Sequence, residues 1–497
     1  MGMYEDLLEA VTNLGSPNVL VVGDFMLDVY IYGDATRISP EAPVPVLKIA
    51  QTEHRCGGAG SVAADLTALG AQAYCLGVIG DDQEGEILKA RLLEAGADVA
   101  SLVKAATRPT ISKQRLIGLA QHLHRQQLIR MDRECTEPLC DELSSAIWEA
   151  YRDRLPQMDI VCLQDHDKGL LGPSLCRQMI QLARQMGRKV LVDPSLTSDY
   201  SKYRWASAIT PNRKETSAAV GFEVTDAATA AAAADALLNE FQLEAVVVTL
   251  DKQGAYLRTR DISRMMPTRP RNVYDVTGAG DMVLATLAAT LAAGYDYETA
   301  VQLANIAGGI EVEKFGTATV SVDEIADETA GQHRGAGGKV CPEDSLLNEL
   351  ERHRRQNKTI VFTNGCFDVL HRGHVEYLQF CRRQGDVVVA GLNSDRSVKT
   401  IKGPGRPINS QQDRAAVLAA LETVDYVTIF DEPTPLNLIR KVRPDVLVKG
   451  QDWAEKGVVG REFVESYGGK VALAPLVVGR SSTATIEKMQ SLEVESC

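Results

Sequence analysis

The segment Ala245-Val-Val-Val-Thr-Leu250 is a short, almost wholly apolar run that follows an alanine-rich segment, residues 225–238. Helix propensity alone predicts a helix over residues 225–238. An apolar run of six residues, rich in valine, fits a strand that is buried on both faces of a sheet. A helix that leads into such a strand is the unit from which parallel sheets are built, so this stretch predicts an α/β fold.

The same alternation continues along the chain and falls into two groups. The stretch Gly331-Gln-His-Arg-Gly-Ala-Gly-Gly338 separates them, because four glycines in eight residues without apolar periodicity are typical of a linker. We predict a first domain at residues 1–330, a linker at 331–345 and a smaller second α/β domain at 346–497. The predicted strands are residues 18–23, 74–80, 159–163, 189–193 and 245–250, then 359–363, 386–392, 426–430, 445–448 and 470–474.

Two segments of the first domain fit a small β lid rather than the main sheet. Pro40, Pro43 and Pro45 exclude residues 30–49 from a central strand, whereas the neighbouring apolar residues fit an edge strand or flap. Residues 110–131 alternate basic and apolar side chains. We predict that the two segments form a lid that projects from the main sheet.

Composition excludes several classes of protein. The 497 residues include 53 basic and 66 acidic residues, so the formal net charge is −13, whereas a nucleic-acid-binding protein needs a clustered basic face. Ten cysteines are spread along the chain without a C-x-x-C pair, which is typical of a reduced compartment. The sequence has no signal-peptide pattern, and no apolar run reaches the ~18–20 residues that span a bilayer. We expect a cytoplasmic protein that binds neither nucleic acid nor membrane.

The motif Asp275-Val-Thr-Gly-Ala-Gly-Asp281 precedes residues 282–293, an apolar stretch that we predict to be a helix. Thr277 is placed to cap that helix, and the two glycines let a ligand approach the backbone closely. The unpaired N–H groups of a helix N-terminus bind phosphate groups. Asp281, at the edge of such a site, can take a proton from an attacking hydroxyl. A tight turn with a capping aspartate is the purely structural alternative.

Three motifs together resemble the ribokinase-like sugar kinases over about residues 15–325: Gly57-Gly-Ala-Gly-Ser61, Thr210-Pro-Asn-Arg-Lys-Glu215 and the motif that ends at Asp281. The resemblance implies phosphorylation of a sugar by ATP, with Asp281 as the catalytic base and Mg²⁺ bound through the phosphates and Glu215. The residues that it places at ATP are Asn212, Arg213, Lys214, Glu215, Thr277, Gly278, Ala279, Gly280 and Asn305. The residues that it places at the sugar are Asp24, Asp28, Gly57, Gly58, Ser61, Lys113 and Arg115.

Several of these residues also have structural interpretations. Asn212 and Glu215 fit an ordinary helix start, and Asn305 fits a buried amide that is bonded to backbone. Asp24 and Asp28 fit helix caps. Some basic residues fit either an anionic substituent on the sugar or a solvated edge strand; they are Lys113, Arg115 and Arg130.

A second motif, Thr363-Asn-Gly-Cys-Phe-Asp-Val-Leu-His-Arg-Gly-His374, joins a predicted strand to a helix that begins near Gly373. His371 and His374 are three residues apart, so both imidazoles can face one ligand across the first helical turn. There they can donate hydrogen bonds to a triphosphate as charge develops at its α-phosphate. A zinc site is the alternative, although this spacing lacks the glutamate of H-E-x-x-H and no third ligand lies nearby in the sequence.

The H-x-G-H motif in this position is similar to that of the nucleotidyltransferases that include cytidylyltransferases and pantetheine-phosphate adenylyltransferase. The resemblance covers residues 358–490 and implies a Rossmann-like domain with His371 and His374 as catalytic residues. This chemistry needs no covalent nucleophile, so we interpret Cys366 as structural. The nucleotide-binding residues that the resemblance implies are Thr363, Asn364, Gly365, Phe367, Asp368, Gly373, Asn393, Asp395, Lys402, Lys449, Ser481, Ser482 and Thr483.

The order of the two domains resembles one family of bacterial bifunctional enzymes, the heptose-7-phosphate kinase/heptose-1-phosphate adenylyltransferases of ADP-heptose synthesis. The flap sequence Arg37-Ile-Ser-Pro-Glu-Ala-Pro-Val-Pro-Val46 matches that family. The resemblance implies ATP and heptose phosphates as substrates, and we also expect a homodimer.

The kinase domain departs from the family pattern at three places. Ser61 stands where the family has asparagine, Ser195 where it has lysine, and Gln164-Asp-His166 where it has Ser-Asp-Tyr. These departures leave two alternatives open. One is an enzyme for another sugar or polyol phosphate, with ATP or CTP as the nucleotide. The other is a kinase domain that senses a ligand without turnover, beside an active adenylyltransferase.

Overall fold

A computed structural model describes residues 3–119, 125–269, 277–314, 316, 318–333, 339–355 and 357–475. The chain divides into two compact units, Met1–Ala330 and Gly331–Cys497. Each unit encloses its own apolar core.

The strands and helices of the first unit alternate along most of its length. In chain order, its strands are β1 (Asn18–Gly23), β2 (Phe25–Ile38), β3 (Pro45–Gly58), β4 (Gln72–Gly80), β5 (Asp98–Ala105), β6 (Ile111–Leu119), β7 (Arg125–Arg133), β8 (Ile160–Gln164), β9 (Lys189–Asp193), β10 (Ala208–Ile209), β11 (Ala245–Thr249), β12 (Gly254–Thr259) and β13 (Ser263–Pro267). Its helices are α1 (Met3–Thr12), α2 (Ala59–Ala68), α3 (Gln83–Glu94), α4 (Asp141–Arg154), α5 (Pro173–Gln185), α6 (Arg213–Val220), α7 (Ala227–Phe241), α8 (Ala279–Ala292), α9 (Tyr297–Glu311) and α10 (Val322–His333).

The main sheet of the first unit has the strand order β13-β12-β11-β10-β9-β8-β1-β4-β5. β12 pairs antiparallel with both β11 and β13, whereas the remaining neighbours run parallel. The chain passes from β1 to β4 on one side and later enters β8 on the other side, so the strand order reverses between β1 and β8. In an open α/β sheet such a switch point leaves a crevice for ligands at the carboxyl ends of the strands.

Apolar residues are buried on both faces of the main sheet. Val19 and Val21 of β1 belong to a core with residues of α2, α8 and α9. Leu20 and Val22 belong to a second core with residues of α4, α5 and α7. The sequence of a central strand that is covered on both faces is therefore a continuous apolar run.

The strands β2, β3, β6 and β7 form a separate sheet in the order β3-β2-β6-β7, which confirms the predicted lid. Strand β3 starts at Pro45 and lies at the edge of this sheet, where a residue without an N–H donor is tolerated. The lid leaves large apolar side chains exposed; they are Ile38, Val44, Ile49, Leu128, Ile129 and Met131.

The second unit contains a smaller parallel sheet. Its strands are β14 (Ile360–Gly365), β15 (Val387–Asn393), β16 (Tyr426–Phe430), β17 (Val446–Gly450) and β18 (Lys470–Ala474). Its helices are α11 (Glu343–Arg355), α12 (Arg372–Arg382), α13 (Asp395–Lys402), α14 (Gln411–Ala419), α15 (Leu436–Val442), α16 (Trp453–Lys456) and α17 (Arg461–Ser466). The strand order β16-β15-β14-β17-β18 reverses between β14 and β17, beside the carboxyl end of β14.

Every strand predicted from the sequence is present, with ends that shift by at most two residues. The prediction missed β5, β10, β12 and β13. β10 has only two residues, and β5 and β13 lie at the edges of the main sheet, where polar residues interrupt the apolar pattern.

Candidate active sites

Several polar residues of the first unit lie at the carboxyl ends of its central strands. Asp24 follows β1, while Gln164 and Asp193 end the neighbouring strands β8 and β9. The Oδ2 atom of Asp24 accepts hydrogen bonds from the backbone N–H groups of His166 and Lys168, at 3.0 and 3.2 Å. Desolvation, followed by the nearby charge of Asp165, raises the pKa of Asp24 to about 6. These groups meet at the switch point of the sheet.

Asp281 lies in the first turn of α8 and reaches the same place. Its Oδ1 atom accepts a hydrogen bond from Nε2 of Gln164 at 2.8 Å, whereas the hydroxyl of Ser61 donates to the backbone oxygen of Cys56 at 3.0 Å. Desolvation, followed by the charges of Asp193 and Asp28, raises the pKa of Asp281 well above its usual value. A carboxylate in such a setting is suited to accept a proton.

The N-terminus of α8 borders an open space. The helix begins at Ala279, and its N-cap is Gly278 with a φ of 97°. The predicted cap by Thr277 is wrong, because the chain enters the helix through a left-handed residue at position 278, where glycine avoids the Cβ clash. A Cβ atom at Gly280 would meet no described atom outside the helix itself within 4 Å. Backbone N–H groups at such a helix end can bind an anion that fills the space.

Asn212 and Glu215 form the capping box of α6. The Oδ1 atom of Asn212 accepts hydrogen bonds from the N–H groups of Lys214 and Glu215, and Oε2 of Glu215 accepts one from the N–H of Asn212 at 2.8 Å. Desolvation, and then the charge of Asp193, raises the pKa of Glu215 to about 7. The helix-start interpretation therefore holds. The carboxylates of Glu215 and Asp193 repel each other, and a bound cation would relieve that repulsion.

The side chains of Arg213 and Asn305 form hydrogen bonds with other protein atoms. Arg213 donates to the backbone oxygen of Val224 at 3.0 Å and to Oε1 of Gln253 at 2.8 Å. Nδ2 of Asn305 donates to the backbone oxygen of Met266 at 2.9 Å. The roles of Arg213, Lys214 and Asn305 at ATP stay predictions.

The lid brings several of the predicted sugar residues together. Asp28 on β2 is buried and forms a salt bridge of 2.7 Å with Arg115 on β6. Lys113 is the partner of Asp28 in the parallel pairing of β2 with β6. A Cβ atom at Gly57 would lie 2.9 Å from Oδ2 of Asp28, so only glycine lets this carboxylate approach so closely. Gly58 and Ser61 follow at the start of α2.

The sequence did not single out Tyr30 and Arg55, which lie in the same region. The guanidinium carbons of Arg55 and Arg115 are each 5.1 Å from the centroid of the Tyr30 ring. The pairing of β2 with β3 and β6 brings these residues together, so no local sequence motif predicts that they are close in space. Arg130, by contrast, binds Asp132 on its own strand.

The second site lies at the start of α12, which follows β14. His371 is the N-cap of α12, and the N–H of His374 donates to the backbone oxygen of His371 at 2.8 Å. The two imidazole rings are nearly parallel, with centroids 4.0 Å apart, and the ring of Phe367 lies 5.4 Å from that of His374. Desolvation, and then the proximity of His371, lowers the pKa of His374 to about 4. Both rings therefore face one place, as the spacing of the motif predicts.

No cluster of three or more potential metal-ligating side chains occurs among the residues that the structure describes. Burial raises the pKa of the Cys366 thiol, which is beside the histidines in the sequence. A thiol in that state is a poor metal ligand and nucleophile.

Lys449 contacts Asn364, a residue of the same motif as the two histidines. Nζ of Lys449 donates to the backbone oxygen of Asn364 at 3.2 Å and lies 5.3 Å from the centroid of the Trp453 ring. The side-chain Oδ1 of Asn364 is buried and has no hydrogen-bond partner among the described residues. Thr363 Oγ1 is 2.6 Å from the hydroxyl of Tyr377, which donates to the backbone oxygen of Val448.

A buried arginine holds much of this site in place, although no motif pointed to it. Arg414 on α14 donates to the backbone oxygens of Cys366 and Asn393, at 2.5 and 2.9 Å, and forms a salt bridge of 2.8 Å with Asp395. Asp368 is anchored separately by Arg406 at 2.5 Å and by the backbone N–H of Ile408 at 2.7 Å. The loop between β14 and α12 is thus fixed by residues from later in the chain.

Some of the remaining residues predicted for this site lie in the described part of the chain, and others lie outside it. Gly365 ends β14 and Gly373 lies in the first turn of α12. Lys402 ends α13 and is exposed. Ser481, Ser482 and Thr483 lie outside the described residues.

Family models match both units. Residues 16–325 match the pfkB family carbohydrate kinases, and residues 362–487 match the cytidylyltransferase-like family. None of the helices in the described part of the chain has the length and hydropathy of a membrane span.

Curated relatives match nearly the full length of the chain. The bifunctional protein HldE of Methylobacillus flagellatus is 46% identical over 478 residues, which cover 95% of this chain and 96% of the relative. The bifunctional protein HldE of Geobacter metallireducens is 45% identical over 473 residues, which cover 95% of each chain. Among solved structures, phosphofructokinase-2 from Escherichia coli in complex with potassium covers 64% of this chain and 98% of its own, with 22% identity and a TM-score of 0.54. The last match supports the fold alone.

Proposed function

The chain belongs to the HldE family of bifunctional proteins, and we propose that it carries out two steps of ADP-heptose biosynthesis. Its first unit, a pfkB-family carbohydrate kinase, transfers a phosphoryl group from ATP to the C1 hydroxyl of heptose 7-phosphate. Its second unit, which is cytidylyltransferase-like, transfers an adenylyl group from ATP to heptose 1-phosphate and releases pyrophosphate. The observation that carries this proposal is the 46% identity to a curated HldE protein over 95% of the chain. The geometry agrees with it, because Asp281 lies at the N-terminus of α8, and His371 and His374 lie at the N-terminus of α12.

In the kinase step, Asp281 takes the proton of the C1 hydroxyl as the oxygen attacks the γ-phosphorus of ATP. The hydrogen bond from Gln164 holds the carboxylate of Asp281 at the switch point, where the sugar hydroxyl must also lie. The backbone N–H groups at the start of α8, around Gly280, receive the charge that develops on the transferred group. On the lid, Asp28 accepts hydrogen bonds from sugar hydroxyls, and Lys113 and Arg115 bind the anionic phosphate substituent of the sugar.

We infer that Mg²⁺ accompanies ATP in this unit. Asp193 and Glu215 fit such a cation, because each carboxylate disfavours the charge of the other. When bound, Mg²⁺ would neutralise charge on the phosphates and help to orient them. Glu215 also caps α6, so its carboxylate is fixed in position before any ligand binds.

In the adenylyl transfer step, the phosphate oxygen of heptose 1-phosphate attacks the α-phosphorus of ATP directly. His371 and His374 donate hydrogen bonds to the oxygens whose charge rises in the transition state. Lys449, which donates to the backbone oxygen of Asn364 in the same motif, contributes an ammonium group to the phosphates. No covalent intermediate is needed, since orientation and charge stabilisation lower the barrier.

We also propose a homodimer that forms through the lid, and a cytoplasmic location. Exposed apolar side chains are concentrated on the lid, with Ile49 at 62% and Ile129 at 51% exposure, and a clustered apolar surface favours a protein interface. A second copy of this chain would cover them, and sedimentation equilibrium of the full chain measures the oligomeric state directly.

The cysteines in the described residues are free thiols, in keeping with a reducing compartment.

Product analysis on the purified full chain tests the proposed function. We expect ADP from ATP plus heptose 7-phosphate, and pyrophosphate from ATP plus heptose 1-phosphate. Hexose and glycerol phosphates, and CTP in place of ATP, serve as controls and should react at least about 100-fold more slowly, as expected when a buried polar contact is left unpaired. Equal turnover of a hexose phosphate would contradict the assigned sugar, and nucleotide binding without ADP formation would indicate a sensing domain instead.

A further inference from the structure

Gln164 joins two carboxylates that come from different elements. It ends β8, and its side chain is completely buried. Its Nε2 atom lies 2.8 Å from Oδ1 of Asp281 at the start of α8 and 2.9 Å from Oδ2 of Asp193 at the end of β9. One amide group therefore bridges the two acids at the centre of the kinase site.

The chemistry of the amide fixes its orientation. Carboxylates accept hydrogen bonds, and only the NH₂ end of a glutamine side chain can donate them. Nε2 of Gln164 also lies 3.3 Å from Nε2 of His166, but both hydrogens of the NH₂ group already point to the carboxylates, so this longer contact adds no third full hydrogen bond. The amide oxygen of Gln164 is buried and has no partner among the described residues, so the donated bonds alone hold the side chain.

The charges around Asp281 make a neutral donor useful at this position. Asp193 faces Asp281 from β9, Asp28 faces it from the lid, and Asp65 faces it from α2. Among the residues that the structure describes, Lys113 on the lid opposes these charges. Three carboxylates around a fourth favour its protonated form, and a protonated aspartic acid cannot act as a base.

We propose that Gln164 is a positioning residue of the kinase site, which aims the carboxylate of Asp281 at the attacking hydroxyl and keeps that carboxylate ionised. A hydrogen bond to the charged form stabilises it, and the amide does so without adding a charge of its own. This proposal rests on the proposed function, in which Asp281 is the base.

The test is the pH dependence of kinase kcat/KM for the Gln164→Leu variant of the full chain. Loss of the donor destabilises the ionised form of Asp281, so the acid limb of the profile should move to higher pH by about one unit. On that limb the rate should fall about tenfold at a given pH. Gln164→Glu has nearly the same shape but adds another carboxylate, so it should move the limb at least as far.

Gln178→Leu is the matched control. Gln178 is exposed on α5 and bonds only to Ser174 in the described structure, so the same chemical change there should leave the profile unchanged. Thermal unfolding of each variant establishes that it is folded. Should Gln164→Leu not fold, the isosteric Gln164→Glu variant provides the same pH readout.

A folded Gln164 variant with the parental acid limb would overturn the proposal, whether its rate is unchanged or is lowered equally at all pH values. The Asp281→Asn variant separates this failure from a failure of the proposed function. If Asp281→Asn is inactive and the limb of the Gln164 variants does not move, only the positioning role is wrong. If Asp281→Asn is as active as the parent, the assignment of the base is wrong as well.

Discussion

At the scale of a single residue, the burial of Lys449 changes the chemistry of a proposed phosphate-binding group. Lys449 is the penultimate residue of the buried strand β17, and its Nζ atom contacts the backbone oxygen of Asn364 and lies over the Trp453 ring. Desolvation lowers the pKa of its ammonium group to about 8. A group with this pKa is charged at neutral pH and loses its charge in the mildly alkaline range.

Adenylyltransferase kcat/KM for ATP should therefore fall as the pH rises through about 8, because the free enzyme loses the positive charge of Lys449. In Lys449→Arg the charge persists, since the guanidinium group stays protonated throughout this range, and the alkaline fall should disappear. Lys470→Arg, on the exposed end of β18, is the control and should keep the parental profile. An identical alkaline fall in Lys449→Arg and in the parent would contradict this role.

Single residues differed in how far the sequence could predict them. Asp281, His371 and His374 each stand in a local motif whose spacing carries the chemistry. Gln164 contacts Asp281 across 117 residues, and the contact exists only because β8 ends at the switch point beside α8. Such partners are set by the topology of the fold and not by the neighbouring sequence, so the bridge formed by Gln164 could not be predicted.

At the scale of secondary-structure elements, the glycines at the start of α8 shape the proposed phosphate site. The N-cap of α8 is left-handed at Gly278, and the space beside Gly280 is open. Nothing in the described structure outside the helix itself lies within 4 Å of a Cβ atom added at position 280. The proposed reason for glycine there is the approach of a phosphoryl group.

Gly280→Ala should leave thermal stability unchanged but lower kinase kcat/KM by about 10-fold or more, because a methyl group displaces the phosphate from the helix N-terminus. Gly172→Ala is a matched control, since a Cβ there also meets no described atom within 4 Å and the residue is the N-cap of α5, away from Asp281. Kinase assays and thermal melts on both variants provide the measurement. A Gly280→Ala enzyme with full activity would contradict the phosphate site at α8.

The sequence predicted those strands that are buried on both faces of the sheet. Central strands such as β1 and β11 are covered on both faces, so their apolar runs identified them. Edge strands and the two-residue β10 carry too little apolar pattern to be recognised. The lid was predicted from proline positions, because prolines are excluded from the interior of a sheet.

At the scale of the whole molecule, each predicted reaction belongs to one unit. The groups around Asp281 come from residues 24–281, and those around His374 come from residues 363–449. Each unit also has its own apolar core and its own sheet. This organisation explains how a family model for a carbohydrate kinase and one for a cytidylyltransferase-like protein match separate parts of one chain.

The most direct measurement of the central claim is an assay of both activities on two variants of the full chain, Asp281→Asn and His374→Ala, with heptose 7-phosphate and heptose 1-phosphate. We expect Asp281→Asn to lose about 10²–10⁴-fold in ADP formation with unchanged pyrophosphate release. His374→Ala should lose pyrophosphate release and keep the kinase rate. Loss of both activities in either variant, or full kinase activity in Asp281→Asn, would contradict the account of two independent phosphate sites on one chain.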